Sequence, residues 1–188
     1  GHCCLSSGPR GVALLPTFAV TADQDGAVIN LFDAGTAHLA LRDGTPVTLT
    51  IETLYPADGH IRIRVDPAAP KAFAVKLRIP AWAADSGVQA SVPLEGGTAS
   101  GSDGYTALRG TWTPGSTVEL RLALAPRLVV GDHLNQGKVA LCYGPLVLAA
   151  DEALLAADGQ SLNTVALAKP DLAALAVTPE PAPAEFKT

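Results

Sequence analysis

Strict alternation of apolar and polar residues marks four stretches of the chain. Val47, Leu49 and Ile51 alternate with Thr48, Thr50 and Glu52, and Ile61, Ile63 and Val65 with His60, Arg62 and Arg64. Phe73, Val75, Leu77 and Ile79 alternate around Lys76 and Arg78, and Val118, Leu120, Leu122 and Leu124 around Glu119 and Arg121. Successive side chains of a strand point to opposite faces, so a period of two predicts strands with one face in a core and the other in water. One register buries the apolar set: Val75, Leu77, Val118 and Leu120 inward, Lys76, Arg78, Glu119 and Arg121 outward. Shorter apolar runs over 28–32, 37–41, 88–92, 105–108, 128–130, 139–143 and 146–149 are separated by turn signals such as Asp43-Gly44, Asp58-Gly59, Gly96-Gly97 and Pro114-Gly115. About eleven strands at this spacing predict an all-β chain, an antiparallel β-sandwich or barrel.

Both ends depart from that period. Gly8-Pro9 followed by Val12, Leu14, Leu15 and Phe18 predicts a short helix opening at Pro9. Pro16 then kinks or ends it, because a proline inside a helix removes a backbone bond and clashes with the preceding turn. From Asp151 the chain turns to Ala and Pro: Glu152–Ala156 suits one helical turn, and 178–184 reads as an extended linker. The organisation expected is a helical segment over 1–25, a β-sandwich over 26–150, and an Ala/Pro-rich tail or the start of a further β segment over 151–188.

Composition narrows the classes of function. The 188 residues are 48% hydrophobic and 16% charged, with a mean hydropathy of +0.26, which gives one domain with a sizeable core and excludes a disordered charged tail. A net charge of −5 with no Lys/Arg block offers nothing to nucleic acid or an anionic membrane surface, and no apolar run approaches the roughly 20 residues of a membrane span. The opening Gly1-His2-Cys3-Cys4, in a chain without Met, is neither a translation start nor a signal peptide, and predicts a portion of a longer polypeptide. Three cysteines, two of them adjacent, make no tidy disulfide framework, so reduced thiols and a cytoplasmic setting are favoured.

Cys3 and Cys4 stand just before the predicted helix, where the macrodipole and unpaired amides favour a thiolate, and with it metal ligation or nucleophilic attack. The competing reading is a pair of small packing residues. Tetrahedral zinc needs four ligands; only His2 is near in sequence, with His38, His60 and His133 scattered over the predicted strands, so the set is two short.

Around the pair the sequence runs His2-Cys-Cys-Leu-Ser-Ser-Gly-Pro-Arg-Gly-Val-Ala-Leu-Leu-Pro-Thr-Phe, followed by Val28-Ile-Asn-Leu-Phe, Leu77-Arg-Ile-Pro-Ala-Trp, Gly110-Thr-Trp, Val118-Glu-Leu and Gly144-Pro-Leu-Val. In order and spacing these phrases resemble glycoside hydrolase family 127, the β-L-arabinofuranosidase family, over residues 2–150. The resemblance implies a six-hairpin α/α barrel that carries the active site, followed by β-sandwich domains, with this chain starting at the last active-site motif of the barrel and lacking the rest of it. In that family the first cysteine of the pair is a nucleophile and a zinc ligand and the second a zinc ligand, so the resemblance gives Cys3 both roles and Cys4 the second. The other two ligands, a glutamate and a cysteine, and the acid/base glutamate would lie upstream. The implied activity is retaining hydrolysis of an arabinofuranosyl or related glycoside, with a thioglycosyl intermediate in place of the usual carboxylate ester and the chain alone inactive. Two rival readings are a non-catalytic sandwich module that packs on a barrel or binds carbohydrate, and a small structural zinc domain.

Other candidates have plainer explanations. Asp132-His133 with Asn135 reads as a loop between strands; Arg62, Arg64, Lys76, Arg78 and Arg121 as an ordinary outward face diluted by Glu52, Asp66 and Glu119. Trp82 and Trp112 suit packing better than sugar stacking, Cys142 reads as a small strand residue, and Asp151 and Glu152 suggest no carboxylate pair.

Overall fold

In the computed structural model the residues described are 3–101, 103–157, 159, 161–162, 166, 171–172 and 177–178. They form two compact units, 1–123 and 124–188. The first begins with helix α1 (Cys3–Ala19) and continues through β1 (Val20–Ala22), β2 (Gly26–Ile29), β3 (Gly35–Ala40), β4 (Pro46–Thr53), β5 (His60–Pro67), β6 (Lys71–Arg78), β7 (Gly87–Ala90), β8 (Leu94–Ser100), β9 (Tyr105–Trp112) and β10 (Ser116–Arg121). One sheet has the order β1-β2-β6-β9-β8 and the other β3-β4-β5-β10-β7. This is the all-β sandwich preceded by a helix that the alternation predicts.

Burial follows the predicted faces. Val47, Leu49, Ile51, Ile61, Ile63, Val65, Val118 and Leu120 of the second sheet and Val75, Leu77, Leu108 and Trp112 of the first are all within 5% of complete burial. Arg62, Arg64, Arg78 and Arg121 are exposed, and Lys76 and Glu119 half-buried. Burying a leucine side chain is worth about 1.5–3 kcal/mol in transfer alone, and truncation adds the cost of a cavity. Leu120→Ala is therefore expected to lower the unfolding free energy by about 2–5 kcal/mol. Glu119→Ala, which removes only half-exposed polar contacts, should cost at most about 1 kcal/mol. Equal shifts of the urea midpoint in the two variants would reverse the face assignment.

Three departures from the sequence reading have local causes. The helix starts at Cys3 and runs three residues past Pro16, with both Pro9 and Pro16 inside it. None of its residues is buried, so a carbonyl that loses its partner to a proline faces water instead of a core. Gly96-Gly97, expected as a turn, lies inside β8: both have φ +73, and the register against β9 shifts between Leu94 and Thr98, so the glycines form an irregularity in an edge strand. Third, β2 and β6 run parallel, with Gly26 opposite Ala74 and Ile29 opposite Leu77, whereas all other pairs in both sheets are antiparallel. The chain between them builds β3, β4 and β5 of the other sheet and returns from the same end, and such a crossover gives a parallel neighbour.

The β1–β2 turn is fastened to that parallel seam. Asp23 accepts hydrogen bonds from the backbone N–H of Asp25 (2.8 Å) and Gly26 (3.0 Å), and Ala74 N–H donates to Asp25 O (3.0 Å). Lys76 Nζ on β6 reaches Asp23 Oδ2 at 2.6 Å and Asp25 Oδ2 at 2.7 Å, and Arg109 Nη2 on β9 reaches Asp25 Oδ2 at 3.3 Å. Desolvation pushes the Asp23 carboxyl up, but the Lys76 ammonium and the two backbone donors outweigh it and hold it below its ordinary value. The hydrogen bond from Lys76 is the main cause of the same lowering at Asp25, and the two carboxylates raise Lys76. Carboxyls lowered in the folded state contribute stability that is fully present above their unfolded pKa near ~4 and lost as pH falls through the folded values. Lys76, raised, contributes stability present below about 10.4 and lost as pH climbs through its folded value. Lys76→Met is thus expected to flatten the loss of stability below about pH 4, read from urea midpoints across the acid range; an unchanged acid limb would clear this cluster of any part in it.

The second unit holds β11 (Pro126–Val130), β12 (Val139–Tyr143) and β13 (Leu146–Leu148), an antiparallel three-stranded sheet, and α2 (Glu152–Ala157), in whose first turn Ala153 N–H donates to Asp151 Oδ1 at 2.8 Å. Cys142 is buried within this sheet, as its alternating strand suggests. The linker expected over 178–184 lies, from 179 onward, outside the described residues. No helix of the described residues is long and apolar enough to cross a membrane.

Candidate functional site

Cys3 and Cys4 occupy the first turn of α1. Their sulfurs are 3.7 Å apart and both residues are exposed; Ser6 Oγ closes the turn by donating to Cys3 O at 3.1 Å. Along the rest of the helix, Leu5, Val12, Leu14, Leu15 and Phe18 are between 52% and 75% exposed. The thiols therefore sit on an apolar helix that the sandwich leaves uncovered.

The opposite end of α1 is tied down. Asn30 and Leu31 N–H donate to Ala19 O at 2.9 and 3.2 Å, and Asn30 Nδ2 donates to Phe18 O at 2.8 Å. Asn30 Oδ1 in turn accepts the Tyr105 hydroxyl at 2.5 Å. Asn30 is visible in the sequence only as part of the Val28-Ile-Asn-Leu-Phe phrase, and nothing there links it to Tyr105, which lies 75 positions further along.

The other candidates scatter. His2 lies outside the described residues. His38 Nδ1 is 3.1 Å from Thr48 Oγ1, His60 Nε2 is 2.6 Å from Glu119 Oε2, and His133 pairs with Asp132 at 3.3 Å on the solvent-exposed loop expected from its glycines. The five basic residues do not make one patch: Lys76 and Arg78 belong to the first sheet and Arg62, Arg64 and Arg121 to the second. Arg62 and Arg64 meet Glu119 (3.5 Å) and Asp66 (2.9 Å). Trp112 is fully buried, its Nε1 donating to Phe73 O at 3.0 Å, and Trp82 is half-buried on a single 3-10 turn, Ala81–Ala83. Among the described residues no three His, Cys, Asp or Glu side chains converge to hold a metal. Two adjacent thiols are suitable zinc donors in kind but half of a tetrahedral set in number, so these residues alone do not make a zinc site.

Taken together these features define an all-β sandwich domain entered through a thiol-bearing helix. The middle-domain profile of GH127, described as beta-L-arabinofuranosidase, matches residues 26–124, the span from β2 to the end of the first unit. The chain belongs to glycoside hydrolase family 127. Among solved structures it is similar to a GH127 beta-L-arabinofuranosidase from Geobacillus stearothermophilus T6, with 28% identity, a TM-score of 0.68, and coverage of 77% of this chain and 23% of that one. A GH127 beta-arabinofuranosidase (27% identity, TM-score 0.66) and a protein described as a glycoside hydrolase (26%, 0.66) each cover 77% of this chain, and the match takes in 25% and 24% of theirs. The chain thus spans about a quarter of the length of these structures. No curated protein matches it.

Proposed function

We propose that the chain works as part of a longer retaining glycoside hydrolase that acts on arabinofuranosyl or related glycosides. The observation that supports this most is the placement of an exposed vicinal thiol pair on the helix that leads into a GH127 middle domain. Cys3 is the nucleophile: its thiolate attacks the anomeric carbon, a C–S bond forms as the glycosidic C–O bond breaks, and the departing oxygen takes a proton from an acid outside this chain. Water then attacks the same carbon and gives its proton to the conjugate base of that acid, the C–S bond breaks, and the thiolate is regenerated as the sugar leaves with retained configuration. Cys3 and Cys4 together supply two of the ligands of a zinc ion, whose chemistry when bound is to keep thiols deprotonated near neutral pH. The uncovered apolar side chains of α1 then pack against the remainder of an α/α barrel.

A non-catalytic accessory module is the second reading. It draws on one observation: the family match covers the sandwich, residues 26–124, and leaves the thiol pair outside it. Activity of the whole polypeptide and of the 188-residue chain against aryl arabinofuranosides and galactosides, with and without a chelator, separates the two. The enzyme reading expects turnover by the whole protein, loss of it with the chelator, and none by the chain alone. A whole protein inactive on the entire panel would favour the module.

A further inference from the structure

We infer that Asn30 and Tyr105 are positioning residues for the thiol pair, acting through the C-terminal end of α1. This rests on the reading of Cys3 as the nucleophile. At about 1.5 Å per residue, the 17 residues of α1 place the thiols roughly 25 Å from the end that the sheet holds. The hydrogen bonds between the described residues of α1 and the sandwich gather at that end, on Phe18 O and Ala19 O.

A helix leaves its last carbonyls without partners. Here a single asparagine, reached after the β1–β2 hairpin, satisfies two of them, Ala19 O through its backbone N–H and Phe18 O through its side chain. The Asn30 amide offers its NH2 to Phe18 O and its carbonyl oxygen to Tyr105, a combination available in one orientation only. Tyr105 opens β9, where it pairs with Arg78 of β6 in the first sheet. The direction in which α1 leaves the sandwich is thus referred through two side chains to a strand inside the first sheet. The packing of α1 against the barrel starts from that end, so a rotation of about 5° there, over a helix of this length, would carry Cys3 by up to ~2 Å. Misplacing a reacting group by ~1 Å can cost on the order of 100-fold in rate.

The test uses the whole glycosidase with an aryl arabinofuranoside. Asn30→Asp preserves size and an acceptor for Tyr105 but removes the donor to Phe18 O; Tyr105→Phe removes one hydroxyl. The expected result is a fall in kcat of about 10-fold for Asn30→Asp and about 3-fold for Tyr105→Phe, with KM within about twofold of wild type. The double variant should be no worse than Asn30→Asp alone, since both act on one linkage. A cap that serves only stability would lower the melting temperature and leave kcat intact, and that outcome overturns the inference. So does a loss confined to KM. Cys3→Ala runs alongside: if it is dead while kcat survives in both variants, the positioning role fails and the nucleophile stands; if it stays active, the site reading fails and the inference with it. Should Asn30→Asp not fold, Tyr105→Phe decides alone, and an unchanged kcat there overturns the proposal.

Discussion

On the proposal that Cys3 is the nucleophile, Cys3→Ser in the whole polypeptide is expected to lose at least about 1,000-fold in kcat, because removing a covalent nucleophile takes away the step on which the others depend. The side chains differ by one atom, which makes the comparison sharp. Cysteine reacts as the thiolate, an intrinsically strong nucleophile that is accessible near neutral pH. A serine hydroxyl has no comparable anion to offer and is a poorer ligand for zinc. Cysteine and serine are nearly isosteric and Cys3 lies outside the sandwich core, so the substitution leaves the sandwich intact. Steady-state kinetics with an aryl arabinofuranoside, alongside the melting temperature, checks this. Wild-type kcat in a normally folded Cys3→Ser protein would transfer the nucleophile's role to another group or favour the accessory-module reading.

The second large effect concerns stability. Gly26→Ala is expected to cost about 3–5 kcal/mol, the range of substitutions that force a backbone apart. A Cβ at this position would stand 2.0 Å from Ala74 O and 2.8 Å from Ala74 N. Those atoms belong to the parallel partner strand, so no side-chain rotation relieves the contact. Gly44 is the control: its φ is +84 and its Cβ would meet nothing within 4 Å, so Gly44→Ala should show only the conformational penalty of about 1–2 kcal/mol. Urea unfolding of the two variants, at unchanged m-value, reads the difference. If Gly26→Ala is no worse than Gly44→Ala, β2 does not approach β6 as described.

What the sequence made legible, and what it hid, follows from the range of each interaction. Alternation over 47–52, 61–65, 73–79 and 118–121 is a local property, and it gave the inward and outward faces of β4, β5, β6 and β10. It says nothing of neighbours, so the parallel pairing of β2 with β6 was out of reach. β1 was missed because three residues are too short to show a period, and β8 because Glu95–Ser100 are all exposed and two of them are glycines. The thiol pair was visible as a sequence feature at a predicted helix start. Its anchoring was not, because Asn30 meets Phe18 across 12 positions and Tyr105 meets Asn30 across 75.

The parallel seam between β2 and β6 also imposes a timetable on synthesis. Gly26 and its partner Ala74 are separated by about 50 residues, which a ribosome adds in about 2–10 s at its usual ~5–20 residues per second. Hairpins form in microseconds, so β3, β4 and β5 can pair as soon as each is available. The β1–β2 hairpin can close as quickly, but its inner neighbour β6 is still untranslated, and Tyr105, the partner of Asn30, arrives later still. The helix bearing Cys3 and Cys4 is therefore made before β6 and β9, the strands to which the β1–β2 hairpin and Asn30 are fastened.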